Sequence, residues 1–525
     1  MPGPVSPSEA PPLQRGGLGN LLRRTAARTP TQPALRFGET RYSYAELDTA
    51  CDRAANALSA RGVGRGDRVA LLSHNNDAFV VLQFAVARLG AILTPINFML
   101  VADEVAWIVD HCAARVLVVE DALVATAEAA LDRAGHAPDL LGVIGAAPAG
   151  AARGWEAVSG WMLHADATPP TTTVGDDEPI QLMYTSGTES RPKGVTLSSG
   201  NLLAQYISCI VDGDMDAADV MVHALPLYHC AQLHCFIGPG LSLGTRNILL
   251  PGPDPAAVMR TISEENATQF FAPPTVWISL LRHPDFDGFD LSSLRKGYYG
   301  ASIMPREVVL ELSRRLPELR LFNCYGQTEM SPLATVLRPD DQLRKLGSAG
   351  KAVLNVETRI VDDQDRPLPP GIEGEIVHRG PQVMLGYWND PEKTAEAMRG
   401  GWFHSGDLGV MDDEGYLTVV DRKKDMIKTG GENVASREVE EVLYQHPAVA
   451  EAAVIGVPDP KWIEAVAAVV VLRAGQAASA EDLIRHCRDR MAGFKTPRRI
   501  VFVEDLPRNA SGKLLKRELR ARFEA

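Results

Sequence analysis

A loop rich in hydroxyl-bearing residues and glycine is the first segment of this 525-residue chain that suggests chemistry. It lies in IQLMYTSGTESRPKGVTL, between two apolar runs, and it contains Lys193. Hydroxyls and backbone N–H groups can surround phosphate oxygens while a lysine supplies positive charge. A Walker A loop is excluded, because Pro192 and Gly194 flank the lysine where that loop has glycine and then serine or threonine. A triphosphate-binding loop and a surface loop between two strands remain the two interpretations.

A second segment, HALPLYHCAQLHC, gathers side chains that are able to bind a metal: His223, His229, Cys230, His234 and Cys235. Zinc sites usually take their ligands from spaced pairs on a turn and a helix. Here the histidines and cysteines form adjacent pairs, His229 with Cys230 and His234 with Cys235. This spacing disfavours a zinc site.

Five segments in a fixed order carry a resemblance to a known family. They are YTSGTESRPKG from Tyr184, YGASIMP from Tyr299, NCYGQTE from Asn323, SGDLG from Ser405 with VDRKKDMIKTGGENV from Val420, and PRNASGK from Pro507. Together they resemble the adenylate-forming enzymes, which include acyl-CoA synthetases, luciferases and peptide-synthetase adenylation domains. The resemblance implies an acyl-CoA synthetase of the fatty acid–CoA ligase type. Such an enzyme joins a hydrophobic carboxylic acid to ATP as acyl-AMP, releases pyrophosphate, and passes the acyl group to coenzyme A.

The resemblance also implies which residues contact ATP. In the family the Thr/Ser/Gly loop holds the β- and γ-phosphates, Thr328 touches the α-phosphate, and Glu329 binds Mg²⁺ as a hard oxygen ligand. Tyr325 offers an aromatic face to adenine, and Asp407 accepts both ribose hydroxyls. The implied ATP-binding residues are Thr185, Ser186, Gly187, Thr188, Lys193, Gly300, Ala301, Ser302, Tyr325, Gly326, Gln327, Thr328, Asp407 and Arg422.

The same resemblance assigns catalysis to Lys513, together with Thr328 and Glu329. Lys513 would bridge the attacking carboxylate and ATP and stabilise the charge that develops between them. The other implied positions are His229 and Tyr298 in the acyl pocket, with His229 as gate or wall, Lys424 as hinge, and Gly430 and Gly431 on the CoA side. Without the resemblance, the composition of DRKKD indicates a solvated linker. Lys513 would then be a solvated charge on a terminal turn.

The phosphate loop departs from the family pattern at Glu189 and Ser190, where Thr-Gly is usual. A carboxylate beside a triphosphate is unfavourable unless it points away or meets Arg191. The departure predicts weaker nucleotide binding. It also supports one alternative function, an inactive acyl-adenylate binder, although the retained motif residues argue against it. A second alternative keeps adenylation and loads the phosphopantetheine of an acyl carrier protein.

Between the motifs, short apolar runs alternate with segments whose apolar residues have helical spacing. A helix is expected from Ser43, whose hydroxyl and Glu46 form a capping box, and strands are expected at 68–72, 91–95 and 115–119. Helices near 77–89 and 102–112 separate these strands, a rhythm typical of parallel sheets. After Tyr325, glycines punctuate short runs, as in antiparallel strands.

These elements predict an α/β fold with a large N-terminal domain of two parallel α/β sheets plus a small β-barrel, and a small mobile C-terminal α+β domain. We expect a disordered leader at 1–15, an adenylation domain at 16–421 and a lid domain at 422–525, with the boundary in DRKKD.

Composition limits the partners. Lysine and arginine number 53 against 66 aspartates and glutamates, a net charge of −13 that argues against nucleic acid and anionic membranes. Seven cysteines do not form the even framework of a secreted protein. No apolar run approaches the roughly 20 residues that span a bilayer, so we expect no integral membrane association and a cytoplasmic location.

Overall fold

The computed structural model describes residues 17–146, 153–185, 192–302, 304–422, 425–429, 432–459, 462–508 and 514–524. The chain divides into two compact units. Unit 1 consists of Met1–Phe271, Gln327–Leu333 and Gly380–Thr394, and unit 2 consists of Ala272–Gly326, Ala334–Arg379 and Ala395–Ala525. The expected leader lies outside the described residues, and the expected domain boundary at 421–422 stays a prediction.

The helices are α1 (Leu18–Arg28), α2 (Tyr44–Ala60), α3 (Asp77–Arg88), α4 (Ala102–Cys112), α5 (Val124–Leu131), α6 (Val158–Met162), α7 (Ser199–Asp212), α8 (Gly238–Leu243), α9 (Pro255–Glu265), α10 (Pro274–Arg282), α11 (Arg306–Arg315), α12 (Pro391–Ala397), α13 (Ser436–Tyr444), α14 (Ala480–Arg488) and α15 (Lys516–Glu524). A π-helical turn at Ala231–Ile237 and a 3₁₀ helix at Thr328–Met330 also matter below. Among the residues described, none of the helices combines the length and apolar character needed to cross a membrane.

The strands are β1 (Pro33–Phe37), β2 (Thr40–Ser43), β3 (Arg68–Leu72), β4 (Ile92–Ile96), β5 (Val116–Glu120), β6 (Leu140–Ile144), β7 (Glu156–Ala157), β8 (Pro179–Thr185), β9 (Lys193–Ser198), β10 (Val220–His223), β11 (Arg246–Leu249), β12 (Gln269–Phe271), β13 (Lys296–Gly300), β14 (Arg320–Gly326), β15 (Leu333–Leu337), β16 (Lys351–Ala352), β17 (Glu357–Val361), β18 (Gly374–Arg379), β19 (Gly386–Tyr387), β20 (Phe403–Met411), β21 (Leu417–Arg422), β22 (Ile427–Thr429), β23 (Glu432–Val434), β24 (Val449–Asp459), β25 (Ile463–Leu472) and β26 (Arg499–Phe502).

Unit 1 contains an eight-stranded sheet in the order β19-β9-β8-β4-β3-β5-β6-β7. Strands β3, β4, β5 and β6 run parallel, and α3 and α4 connect them as expected. Nearly all side chains of β3, β4 and β5 are buried, on both faces, which explains the uninterrupted apolar runs in the sequence. The predicted capping box also forms, because Ser43 Oγ accepts from the Glu46 N–H and Glu46 accepts from the Ser43 N–H.

The phosphate-loop strands differ from this parallel pattern. Strand β9 pairs antiparallel with β8, and the short β19 pairs antiparallel with β9. The loop between β8 and β9 therefore joins two neighbouring strands, so its two ends are held close together.

A second group of strands in unit 1 follows the order β12-β10-β11-β1-β2, with parallel pairing except between β1 and β2. Unit 2 contains β16-β15-β14-β13, in which β13 and β14 are parallel. The glycine-punctuated region forms the four-stranded antiparallel sheet β17-β18-β20-β21, as its turns predicted.

The C-terminal residues of unit 2 form the sheet β23-β22-β25-β24, to which β26 adds beside β25. Helices α13 and α14 cover one face through Val439, Leu443 and Leu483, and α15 contributes Leu519 to a second apolar cluster. The α/β fold class, with a large N-terminal region of sheets and a smaller C-terminal α+β region, is confirmed.

Candidate active site

The two ends of the predicted phosphate loop lie side by side in unit 1. Thr185 ends β8, Lys193 begins β9, and the sheet register pairs these two residues. The Thr185 hydroxyl donates to the Lys193 carbonyl oxygen at 3.5 Å. Ser186, Gly187 and Thr188 lie outside the described residues. The hairpin geometry thus brings together the first and last residues of the expected loop.

Lys193 and Glu329 meet at a tyrosine that the sequence analysis missed. The Tyr387 hydroxyl donates to Glu329 Oε1 at 2.9 Å, and the Lys193 ammonium lies 5.1 Å from the centroid of the Tyr387 ring. Glu329 lies in the 3₁₀ helix Thr328–Met330, and its carbonyl oxygen accepts from the Met384 N–H at 2.8 Å. One aromatic residue therefore contacts the predicted phosphate-binding lysine and the predicted Mg²⁺ ligand.

Thr328, the predicted α-phosphate contact, has its own unexpected neighbour. Its Oγ1 lies 3.1 Å from Cys230 Sγ, at hydrogen-bond distance. Burial raises the pKa of the Cys230 thiol to about 12, so the thiol is neutral and is a hydrogen-bonding group rather than a nucleophile. Cys230 immediately precedes the π-helical turn, and π-helical turns are frequent at functional sites.

The remaining members of HALPLYHCAQLHC engage separate partners. His223 Nε2 donates to Asn247 Oδ1 at 2.9 Å, and its Nδ1 accepts from Gln232 at 2.7 Å. His234 Nδ1 forms a hydrogen bond with the Tyr206 hydroxyl at 2.9 Å. Burial lowers the pKa of His223 to about 4 and that of His234 to about 3. Across the described part of the chain, no group of three or more His, Cys, Asp or Glu side chains has a metal-binding arrangement.

His229 is half-buried, and its Nδ1 accepts from the Ala231 N–H at 3.2 Å. Its neighbour Tyr228 meets the ring of Phe98 edge to face, with centroids 5.3 Å apart. The Phe98 ring in turn lies 4.1 Å from the ring of His74. Since β3 ends at Leu72 and β4 at Ile96, His74 and Phe98 follow the carboxyl ends of parallel strands, where α/β sheets bind ligands.

In unit 2, β13 ends at Gly300 of YGASIMP, and Ala301 and Ser302 follow it. Gly300 pairs with Cys324 of β14, and a side chain at Gly300 would place its Cβ 2.4 Å from the Cys324 carbonyl oxygen. Ala301 has φ of 63°, a left-handed conformation that is uncommon for a residue with a side chain. Ala301 and Ser302 are exposed. The turn therefore presents backbone groups to solvent at the carboxyl end of a parallel strand.

The predicted adenine and ribose residues contact each other in unit 2. The Tyr325 hydroxyl donates to Asp407 Oδ2 at 2.7 Å, and Arg422 Nε lies 3.5 Å from Asp407 Oδ1. The sheet register pairs Asp407 with Arg422, and the Asp407 N–H donates to Ser405 Oγ at 3.1 Å. Asp407 is only 5% exposed. Burial, and then the Asp407 charge, raise the pKa of Tyr325, so its hydroxyl stays protonated as a donor.

Other predicted residues have different settings. Gly326 ends β14 and is exposed, and Gln327 precedes the Thr328 helix. The Tyr298 ring is fully buried in unit 2 and stacks on Phe322 at 4.8 Å. Lys424, Gly430, Gly431 and Lys513 lie outside the described residues. Their roles, and the acyl-pocket role of Tyr298, stay predictions.

Comparisons with known proteins identify the family of the chain. Residues 22–388 match the family described as AMP-binding enzyme, and residues 438–513 match the AMP-binding enzyme C-terminal domain. A feruloyl-CoA synthase of an Amycolatopsis species is 40% identical over 512 residues, which cover 97% of this chain and 100% of the relative. An indoleacetate–CoA ligase of Aromatoleum aromaticum is 38% identical over 504 residues, covering 96% and 97%.

A solved structure is similar over nearly the whole chain. The anthranilate CoA ligase AuaEII in complex with anthranoyl-AMP has a TM-score of 0.90, 28% sequence identity and 99% coverage of each chain. That structure contains an acyl-adenylate.

Proposed function

The chain belongs to the AMP-binding enzyme family, and we propose that the acid it activates is aromatic. It is an ATP-dependent, AMP-forming acid–thiol ligase: it adenylates a carboxylic acid with release of pyrophosphate and then transfers the acyl group to the thiol of coenzyme A. The aromatic acids named for the feruloyl, indoleacetate and anthranilate relatives support the proposed substrate class.

The observation that carries this proposal is the aromatic group beside His229. The Phe98 ring contacts the Tyr228 ring on one side and the His74 ring on the other. The Tyr228 hydroxyl is buried and has no hydrogen-bond partner among the described residues. A buried hydroxyl without a partner is unfavourable. An aryl acid that carries a hydroxyl or N–H group on its ring would supply that partner, whereas a saturated alkyl chain would not.

A substrate panel tests the proposal. We expect 4-hydroxycinnamic and indole-3-acetic acids to give a higher kcat/KM than decanoic acid, with AMP and the CoA thioester as measured products. The Tyr228→Phe variant should lower kcat/KM for 4-hydroxycinnamic acid by roughly five- to tenfold, the cost of one lost hydrogen bond. Cinnamic acid is the matched control and should be unaffected. A preference for decanoic acid would contradict the aromatic assignment.

The residues then act on ATP as follows. The loop from Thr185 to Thr188 and Lys193 holds the β- and γ-phosphates, and Thr328 holds the α-phosphate toward the acid. In unit 2, the turn after Gly300 and the Tyr325 ring hold adenine, and Asp407 accepts the ribose hydroxyls. A carboxylate oxygen of the acid attacks the α-phosphorus, and pyrophosphate leaves. The CoA thiolate next attacks the acyl carbonyl, and AMP leaves.

Glu329 fits a role as Mg²⁺ ligand. Its carboxylate is half-exposed, and among the described residues only its Oε1 accepts a hydrogen bond, from Tyr387. Hard carboxylate oxygens suit Mg²⁺, which keeps most of its waters and is bound together with substrate phosphates. When bound, the ion would neutralise the phosphate charge that builds up as pyrophosphate leaves.

A substitution at Lys513 is expected to affect the two half-reactions differently. If it stabilises charge only while the carboxylate attacks ATP, Lys513→Ala should slow acyl-AMP formation by about 10²- to 10³-fold. Thioester formation from supplied acyl-AMP should be much less affected, because the lid is expected to rotate about Lys424 between the steps and bring Gly430 and Gly431 toward CoA. Single-turnover measurements of both steps provide the test, and equal impairment would remove this assignment.

Coenzyme A is the proposed acceptor rather than a carrier protein. Thioester formation should be detected with free CoA and not depend on a phosphopantetheine-bearing acyl carrier protein. The seven cysteines are all free thiols, which fits a reducing cytosol as the proposed location.

A further inference from the structure

Tyr387 is held in place by the edge of the eight-stranded sheet. In the β9–β19 pair, Tyr387 lies opposite Val195, two residues after Lys193. Residues two apart on a strand share a face, so Lys193 is a diagonal neighbour of Tyr387 within reach of a long side chain. The Tyr387 N–H donates to Thr394 Oγ1 at 2.9 Å, and the N–H of the next residue, Trp388, donates to the Gly194 carbonyl at 2.7 Å.

Two glycines allow this close approach. A side chain at Gly194 would place its Cβ 3.2 Å from Trp388 Cβ. Gly386 has φ of 148°, and a Cβ there would lie 2.8 Å from Thr394 Cγ2. The segment that carries Tyr387 is therefore packed tightly against the strand that carries Lys193. The backbone of Tyr387 is therefore held close to β9, and its side chain begins from a fixed position beside Lys193.

The two parts of the Tyr387 side chain serve oppositely charged groups. Its electron-rich ring face lies near the Lys193 ammonium, a geometry that attracts a cation. Its hydroxyl donates to Glu329 Oε1 and leaves Oε2 without a hydrogen bond among the residues described. A carboxylate held through one oxygen in this way keeps its other oxygen available to a cation.

We infer that Tyr387 is a positioning residue that aims Glu329 at Mg²⁺ and Lys193 at the phosphates of ATP. This inference rests on the proposed function, since it requires Mg²⁺ and ATP at this site. The hydroxyl acts on the cation through Glu329, whereas the ring acts on the phosphates through Lys193. The two effects are therefore separable by substitution.

Three variants separate them. Tyr387→Phe removes the hydroxyl and keeps the ring, and Tyr387→Leu removes both. Tyr42→Phe is the matched control, because the Tyr42 hydroxyl also donates to a carboxylate, Asp77 Oδ2 at 2.8 Å, but on β2 and outside the predicted site. Calorimetry measures the Kd of ATP, without acid or CoA, at zero and at saturating Mg²⁺, and thermal unfolding confirms that each variant is folded.

In the wild-type protein, Mg²⁺ should tighten ATP binding. Without Mg²⁺, Tyr387→Phe should bind ATP with the wild-type Kd. The factor by which Mg²⁺ lowers the Kd of ATP should be about tenfold smaller in this variant, the effect of one hydrogen bond to a charged group. Tyr387→Leu should lose a further threefold or so in ATP affinity both with and without Mg²⁺, because Lys193 loses its ring contact. Tyr42→Phe should match the wild type in both conditions.

A Tyr387→Phe variant with the full wild-type response to Mg²⁺ would overturn the inference and leave the proposed function intact. Loss of ATP affinity in Tyr387→Phe without Mg²⁺ would also overturn it, because the hydroxyl would then act on the nucleotide rather than through Glu329. If the wild-type protein binds no ATP, the proposed function fails and this inference fails with it.

Discussion

Two carboxylates predicted to serve ATP are held very differently in the two units. Asp407 in unit 2 is 5% exposed, accepts from the Tyr325 hydroxyl, and lies beside the Arg422 guanidinium. Glu329 in unit 1 is half-exposed and, within the described residues, accepts one side-chain hydrogen bond, from Tyr387.

The difference matches the two partners. A ribose is a rigid neutral group whose two hydroxyls need two acceptor oxygens in fixed positions, so its carboxylate benefits from a buried and fully oriented setting. A hydrated Mg²⁺ brings its own waters and needs one accessible oxygen. We therefore expect Asp407 to affect both folding and nucleotide binding, and Glu329 to affect the response to the metal alone.

Acid should give the largest effect, because both units bury neutral histidines. Unit 1 buries the neutral His223 and His234, with pKa values lowered to about 4 and 3, whereas His378 in unit 2 is lowered to about 3. Because the unfolded chain binds these protons first, stability is complete above about pH 6.5 and is lost as pH falls toward the folded values, by up to about 1.4 kcal/mol per pH unit for each histidine.

Denaturant unfolding at pH 7, 5.5 and 4.5 measures this loss. His223 provides the clearest test, because its Nδ1 must stay unprotonated to accept a hydrogen bond from Gln232. His223→Gln should reduce the number of protons taken up on unfolding by up to one. The slope of the unfolding free energy against pH should fall accordingly. A variant with the same slope as the wild type would show that His223 does not contribute.

The next effect concerns Asp407. Asp407→Ala should lower the free energy of unfolding by about 1 kcal/mol, because the half-buried Tyr325 hydroxyl loses its acceptor. It should also raise the KM for ATP and leave the KM for the acid unchanged. Asp407→Asn, which keeps an acceptor oxygen, should recover much of the stability. If the alanine variant unfolds like the wild type, the contrast with Glu329 disappears.

Cys230 should give a smaller effect, confined to adenylation. Cys230→Ala removes the group that contacts Thr328 Oγ1 and should lower kcat for acyl-AMP formation by roughly five- to tenfold, as expected for one lost hydrogen bond. Cys230→Ser keeps a donor and acceptor and should recover most of that rate. Equal rates for the serine and alanine variants would mean that the thiol contributes by packing.

The smallest effect on stability is expected at Glu329. Glu329→Gln should change the unfolding free energy by no more than about 0.5 kcal/mol, as is usual for partly exposed positions. The same variant should need more Mg²⁺ for half-maximal activity. A loss of stability as large as that of Asp407→Ala would show that the two carboxylates are held alike.

Local elements were predictable because their causes are local. The Ser43–Glu46 capping box, the strand at 68–72 and the helix at 102–112 follow from neighbours in the sequence, and all three are confirmed. The motif residues Tyr325 and Asp407 were also assigned to one nucleotide, and their side chains are hydrogen-bonded. The antiparallel pairing of β9 was not expected, because strand direction depends on which strand lies alongside.

The sequence by itself determined the family motifs, the α/β alternation and the order of the predicted ATP contacts, because periodicity and short-range spacing encode them. Only the tertiary structure decided that Tyr387 lies between Lys193 and Glu329, and that Cys230 meets Thr328. Tyr387 is 58 residues from Glu329 along the chain, and Cys230 is 98 residues from Thr328. Sheet pairing and burial bring these residues together, and neither can be predicted from the spacing of the residues involved.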